Sequence, residues 1–191
     1  MAQAHAEALL ALAIEQGFAQ YVARGTYLRG WTLAMQGQAE EGIAQLRQGL
    51  VALQATGAGQ MGPMAMLAEA YGQGGYIAEG LAVLAEALAG VAKTGERDGP
   101  FYRLKGDLLL RQAVPDEPQA ETYFHQALDI ARHRQARSWE LGAATSLSRL
   151  WQRQGKRAAA RELLAPIYGW FTEGFDTADL QDAKALLDAL S

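Results

Sequence analysis

Glu41-Gly-Ile-Ala-Gln-Leu-Arg-Gln-Gly-Leu50, Glu79-Gly-Leu-Ala-Val-Leu-Ala-Glu-Ala-Leu88 and Gln119-Ala-Glu-Thr-Tyr-Phe-His-Gln-Ala-Leu128 superpose, and Ala159 to Tyr168 is a weaker fourth copy. Small residues recur at Gly42, Gly80, Ala120 and Ala160, in steps of 38, 40 and 40 residues. Four and seven positions later come Leu46/Gly49, Leu84/Ala87, Phe124/Ala127 and Leu164/Ile167. That spacing keeps all of them on one face of a helix. A repeat of this length with helical phasing marks a stack of supersecondary units, each too small to bury its apolar face alone.

Upstream of each copy lies a second apolar-periodic stretch, in which Gly30, Ala68, Gly106 and Ser148 share a register and Leu33, Tyr71, Leu109 and Trp151 follow three residues later. Each repeat is therefore a pair of helices. Between the two lie Gly37, Gly74-Gly75, Pro115-Asp-Glu-Pro118 and Gly155, which read as helix stops or first-turn prolines. Gly17, Gly57, Gly95 and Gly174 follow second helices where a C-cap is needed, with Ala136 in the odd position. The whole chain, 1–191, reads as a single all-α, right-handed solenoid of antiparallel helix pairs. A half repeat at 3–16 precedes pairs at 18–56, 59–94, 98–135 and 138–173, and a capping helix at 177–190 starts from Asp176-Thr177-Ala178-Asp179.

Composition narrows the function. The chain has 191 residues, half of them hydrophobic, no cysteine and a formal charge of -4. Disulfides, thiolate metal sites and thiol nucleophiles are excluded, a reducing and so cytoplasmic setting fits, and the negative charge opposes a nucleic-acid footprint. Met1 to Glu7 lacks the basic start of a signal peptide, and no run is long and apolar enough to span a membrane. Gly72-Gln-Gly-Gly75 lacks the Gly-Lys-Ser/Thr of a phosphate loop and reads as a turn. His125 and His133 stand eight apart, beyond the spacing at which two imidazoles share a metal, and Ser138, Ser146 and Ser148 have no His-acid partners nearby. The carboxylates of Glu40, Glu41, Glu79, Glu86 and Glu121 fall on expected exposed faces. No catalytic residue, metal site or cofactor is expected.

The small-then-large alternation resembles the tetratricopeptide pattern, with a small residue and a Tyr-like one on the first helix and Ala, Phe and Ala on the second. The period exceeds the usual 34, and the aromatic that opens the first helix is present only as Tyr102, with Thr26, Met64 and Ala144 elsewhere. The resemblance implies a concave surface lined by first-helix residues that takes extended peptides or helices. Counted from the small positions, its members are Tyr27, Trp31 and Met35, then Glu69 and Gln73, then Arg103, Asp107 and Arg111, then Arg149 and Arg153. An aromatic end thus grades into an arginine-rich one, which suits a protein or peptide with an apolar anchor and acidic residues. The Lys and Asn set of chaperone-binding repeats is missing.

Leu147-Ser-Arg-Leu-Trp-Gln-Arg-Gln-Gly-Lys-Arg157 and Arg161-Glu-Leu-Leu-Ala-Pro-Ile-Tyr-Gly-Trp-Phe-Thr-Glu-Gly-Phe-Asp-Thr-Ala-Asp-Leu180, with Tyr102 to Leu110 and Ser138 to Leu141, resemble the C-terminal region of bacterial signal-transducing ATPases that carry a class III adenylate cyclase or a LuxR-type DNA-binding domain. That resemblance implies a regulatory interaction arm; the alternative is a small-molecule-sensing domain of such a regulator. Leu9, Leu10, Leu12, Ile14 and Phe18 of the half repeat lack a first helix to cover them, so a homodimer through the N-terminal end is expected.

Overall fold

All eight small positions of the repeat are buried: Gly30, Ala68, Gly106 and Ser148 on first helices, Gly42, Gly80, Ala120 and Ala160 on second helices. The computed structural model describes residues 2–59, 61–94 and 99–191, and their side chains except at 2–4 and 91–94. Among these all regular structure is helical: α1 (Ala2–Glu15), then α2 (Ala19–Met35) with α3 (Ala39–Ala55), α4 (Met61–Gln73) with α5 (Ile77–Thr94), α6 (Gly99–Leu109) with α7 (Glu117–His133), α8 (Arg137–Arg153) with α9 (Arg157–Tyr168), and α10 (Ala178–Ala189). Gly95 and residue 98, the expected start of the third pair, lie outside the described residues. The chain forms two compact units, Met1–Gly90 and Val91–Ser191.

In the first unit α2 and α3 meet backbone to backbone. A Cβ built on Gly30 would stand 2.7 Å from the Gly42 carbonyl oxygen and 2.7 Å from the Leu46 nitrogen; one on Gly42 would stand 2.6 Å from the Ala34 nitrogen. Only residues without a side chain permit that approach. Around the crossing Ala34, Ile43, Leu46, Leu67 and Ala70 form a buried cluster, and Tyr71 and Val83 pack on it from α4 and α5. The first helices α2 and α4 also pack on one another. Gly37, between α2 and α3, has φ +89°, the left-handed conformation that ends a helix and that glycine adopts without a Cβ penalty.

In the second unit the crossing of α6 and α7 is filled differently: the buried Phe124 ring lies against Gly106, whose added Cβ would come 2.5 Å from Phe124 Cε1. The fourth pair crosses at Ser148 and Ala160, where the buried Ser148 hydroxyl donates to the Ala160 carbonyl oxygen at 3.1 Å. That bond satisfies a polar group which would otherwise cost stability in the core. First helices α6 and α8 pack together, and α10 packs on both α8 and α9 through Leu180, Ala183 and Leu186.

Local endings depart from expectation at four places. The left-handed residue after α7 is Gln135 (φ +54°), and Ala136 is the N-cap of α8. Helix α9 stops at Tyr168 rather than near 173, so Gly174 (φ +76°) lies in the loop leading to α10 instead of at a helix end. Thr177 is the N-cap of α10, yet its hydroxyl donates backwards to the Gly174 carbonyl oxygen rather than accepting from the helix. Pro118 stands second in α7, whose cap is Asp116, accepting from the Gln119 N–H at 3.0 Å.

Because the Gly30 site is closed by rigid backbone, Gly30→Ala should destabilise the fold by roughly 1–3 kcal/mol through overpacking. Nothing lies within 4 Å of a Cβ on Gly90, in the exposed interior of α5, so Gly90→Ala should stabilise by about 0.5–1 kcal/mol. Chemical denaturation of the two variants beside the parent checks both signs.

Candidate functional site

The residue one position after each small residue of a first helix is Trp31, Glu69, Asp107 or Arg149. Within each unit the two first helices pack together, so Trp31 meets Glu69 in the first and Asp107 lies near Arg149 in the second. In the first unit the Trp31 indole N–H donates to Glu69 Oε2 at 2.8 Å, joining α2 to α4. Tyr27, Trp31 and Met35 are half-buried and pack on the core cluster, so much of their apolar surface is spent on the fold. Gln73 is exposed at the end of α4.

In the second unit the same register is charged. Arg103 and Asp107, one turn apart on α6, form an ion pair of 2.8 Å with about a third of each side chain exposed. Arg111, just past α6, and Arg153, at the end of α8, are exposed and make no ion pair among the described residues. Arg149 of α8 is paired with Asp182 of α10. The structure brings Arg103, Arg111 and Arg149 within electrostatic range of Asp107. Two residues of this neighbourhood were not among the sequence candidates. Ser146 is buried beside Asp107, and Asp182 was legible only as part of the polar side of the last helix.

Burial pushes the Asp107 carboxyl above the ordinary carboxylate value of 3.8, and the pull of Arg103, Ser146, Arg149 and Arg111 in the other direction does not cancel it. Groups with displaced pKa values cluster at functional sites, and structural ion-pair networks displace them too.

Other polar groups hold helices together. Glu140, almost fully buried, accepts from Arg132 Nε at 3.0 Å and Arg137 Nη1 at 2.8 Å, tying α7 to α8. Glu121 is not merely solvated, since it accepts from the Trp151 indole at 2.7 Å and lies near Lys156 and His125. An open cleft of about 370 Å³ is lined by Glu40, Arg47, Tyr71, Tyr76 and Glu79 with apolar Ile43 and Ala44. Among the described residues no group of three or more acidic, His or Cys side chains could hold a metal, and no helix is long and apolar enough to cross a membrane.

No protein-family model and no curated protein sequence matches the chain. Solved structures do match. BtubC (BKLC) from P. vanneervenii superposes with a TM-score of 0.72 at 16% identity, over 99% of this chain and 88% of that one. The nearly identical TPR-like repeats of a protein described as a kinesin light chain, from Podosopora anserina, superpose with a TM-score of 0.62 at 21% identity, over 87% and 84% of the two chains. The fold is thus that of the tetratricopeptide-like helix-pair repeats. At these identities the similarity fixes the fold and nothing finer.

Asp107 supplies a pH test. A carboxyl whose folded pKa is raised contributes stability below pH 3.8 that is lost as pH rises through the folded value. Asp107→Asn should therefore melt at the same or a higher temperature than the parent at pH 7, with the advantage shrinking toward pH 3–4. A marked loss of thermal stability at pH 7 would show instead that the ion pair with Arg103 outweighs desolvation.

Proposed function

We propose that the chain is a non-catalytic protein-interaction and regulatory module whose arginine-rich first-helix face binds an acidic peptide or an acidic segment of a partner protein. The observation that carries this reading is the row Arg103, Asp107, Arg111, Arg149, Arg153: Arg111 and Arg153 stand exposed and make no ion pair among the described residues, in a chain whose net charge is negative. Local cations on an acidic protein mark a surface that receives anions, and forked guanidinium donors suit carboxylates. The aromatic register of Tyr27, Trp31 and Met35 supports a contribution to apolar anchoring only through the surface it leaves uncovered.

The tetratricopeptide-like fold fits an interaction scaffold. Within the proposal, residues 1–191 work as one module in the cytoplasm of a bacterium, as a part or relative of a signalling ATPase or cyclase, which the resemblance of residues 147–180 supports. Anisotropy titration of a labelled acidic peptide tests the arginine face. Arg111→Glu with Arg153→Glu should weaken binding at least tenfold while the helical circular-dichroism signal stays unchanged; equal affinity would reduce these arginines to solvated surface.

Self-association belongs to the same proposal. Leu12, Ile14, Phe18 and Tyr21 of the first unit are between 46% and 62% exposed, and Leu9, Leu12, Phe18 and Tyr21 line an apolar cleft of about 320 Å³. A symmetric dimer would cover this surface. Sedimentation at micromolar concentration should show a dimer that Phe18→Lys dissociates, whereas a strictly monomeric parent chain would refute it.

A further inference from the structure

Helix α10 lies beside α8 as a further first helix would, and it is held by two kinds of contact. Leu180, Ala183 and Leu186 are buried beneath it. Above them, arginines reach it from the preceding pair: Arg149 to the Asp182 carboxylate, Arg157 to the Ala189 carbonyl oxygen and Arg161 to the Ser191 hydroxyl at 2.8 Å. Of these three arginines Arg149 alone belongs to the first-helix face, and there it holds a carboxylate carried by a helical segment.

The Arg149–Asp182 contact differs from the rest of the seat. Its two side chains are 47% and 48% exposed, so the pair forms in water and is cheap to break. Asp107, on the other flank of Arg149, already has Arg103 as partner at 2.8 Å. Arg149 is therefore the one arginine of the proposed face whose carboxylate comes from α10. Releasing it would expose a third unpaired guanidinium beside Arg111 and Arg153 without disturbing the buried leucines.

We propose that Asp182 is an internal competitor: its carboxylate occupies on Arg149 the subsite that a carboxylate of an acidic peptide takes, and binding displaces Asp182 while α10 keeps its apolar seat. This rests on the acidic-partner reading above and deepens it. The last helix then sets the affinity of the face, holding it weak toward peptides too short to compete.

The test uses the full chain and fluorescein-labelled hexaglutamate, read by anisotropy at low ionic strength. Asp182→Asn should tighten binding about two- to fivefold, the worth of an exposed ion pair. Adding Arg149→Gln should bring the affinity below that of the parent. Asp188→Asn removes the same charge from α10, but there it pairs with Lys184 at 2.8 Å and with no arginine among the described residues, and it should change nothing. Equal affinity of the parent and Asp182→Asn, or equal tightening by Asp188→Asn, overturns the competitor while leaving the acidic-partner reading intact if Arg111→Glu with Arg153→Glu still weakens binding. If neither the parent nor Asp182→Asn binds hexaglutamate, both readings fall.

Discussion

The contact of backbone on backbone between α2 and α3 is the constraint from which the rest of the first unit follows. With Gly30 and Gly42 each within van der Waals range of the facing main chain, the two helices have one depth and nearly one angle at which they fit. Once that is set, Leu46 must fall into the core and Trp31 must turn toward the next first helix, where it meets Glu69. The second unit reaches a similar arrangement by other chemistry. A phenyl ring fills the space over Gly106, and a hydroxyl replaces hydrogen-only contact at Ser148. Three solutions to one crossing explain why the repeat tolerates drift in sequence while its small positions stay small.

Much of this was legible because packing writes a periodic signal. A residue that must be small every 38 to 40 positions, followed by large apolar ones at helical spacing, announces a helix pair without any structure. Helix ends were less legible, because capping depends on where a side chain turns locally. Thr177 occupies the cap position, but its hydroxyl finds the Gly174 carbonyl first. Gln135 takes the left-handed conformation beside an Ala136 that a glycine-seeking eye would choose. Helix α9 ends at Tyr168, six positions ahead of Gly174, the glycine that looked like its stop.

The register that picks out these charges was legible, and their pairing was not. Counting from Gly106 and Ser148 selects Arg103, Asp107, Arg149 and Arg153, because facing is a matter of phase. Which charge meets which is a matter of neighbouring helices and their lengths. Asp182 reaches Arg149 only because a loop of particular shape returns the chain to lay α10 against α8. Glu121 shows the same limit from the other side: its phase predicts exposure, and the indole of Trp151, thirty residues away, uses it nonetheless. Asp107 adds an energetic point. Among arginines a carboxylate would ordinarily become a stronger acid, and here partial burial wins over that attraction.

The placement of the tryptophans makes the molecule its own optical instrument. Of the four, Trp31 alone belongs to the first compact unit, and Trp139, Trp151 and Trp170 belong to the second. Trp31 and Trp151 are anchored by indole hydrogen bonds to carboxylates, while Trp170 stands largely in solvent with the Arg137 guanidinium 5.0 Å from its ring. Their emission therefore samples distinct surroundings. Replacing Trp31 by Phe would darken one unit and leave the other visible, so that the melting of each could be followed by ultraviolet light alone, with no dye attached.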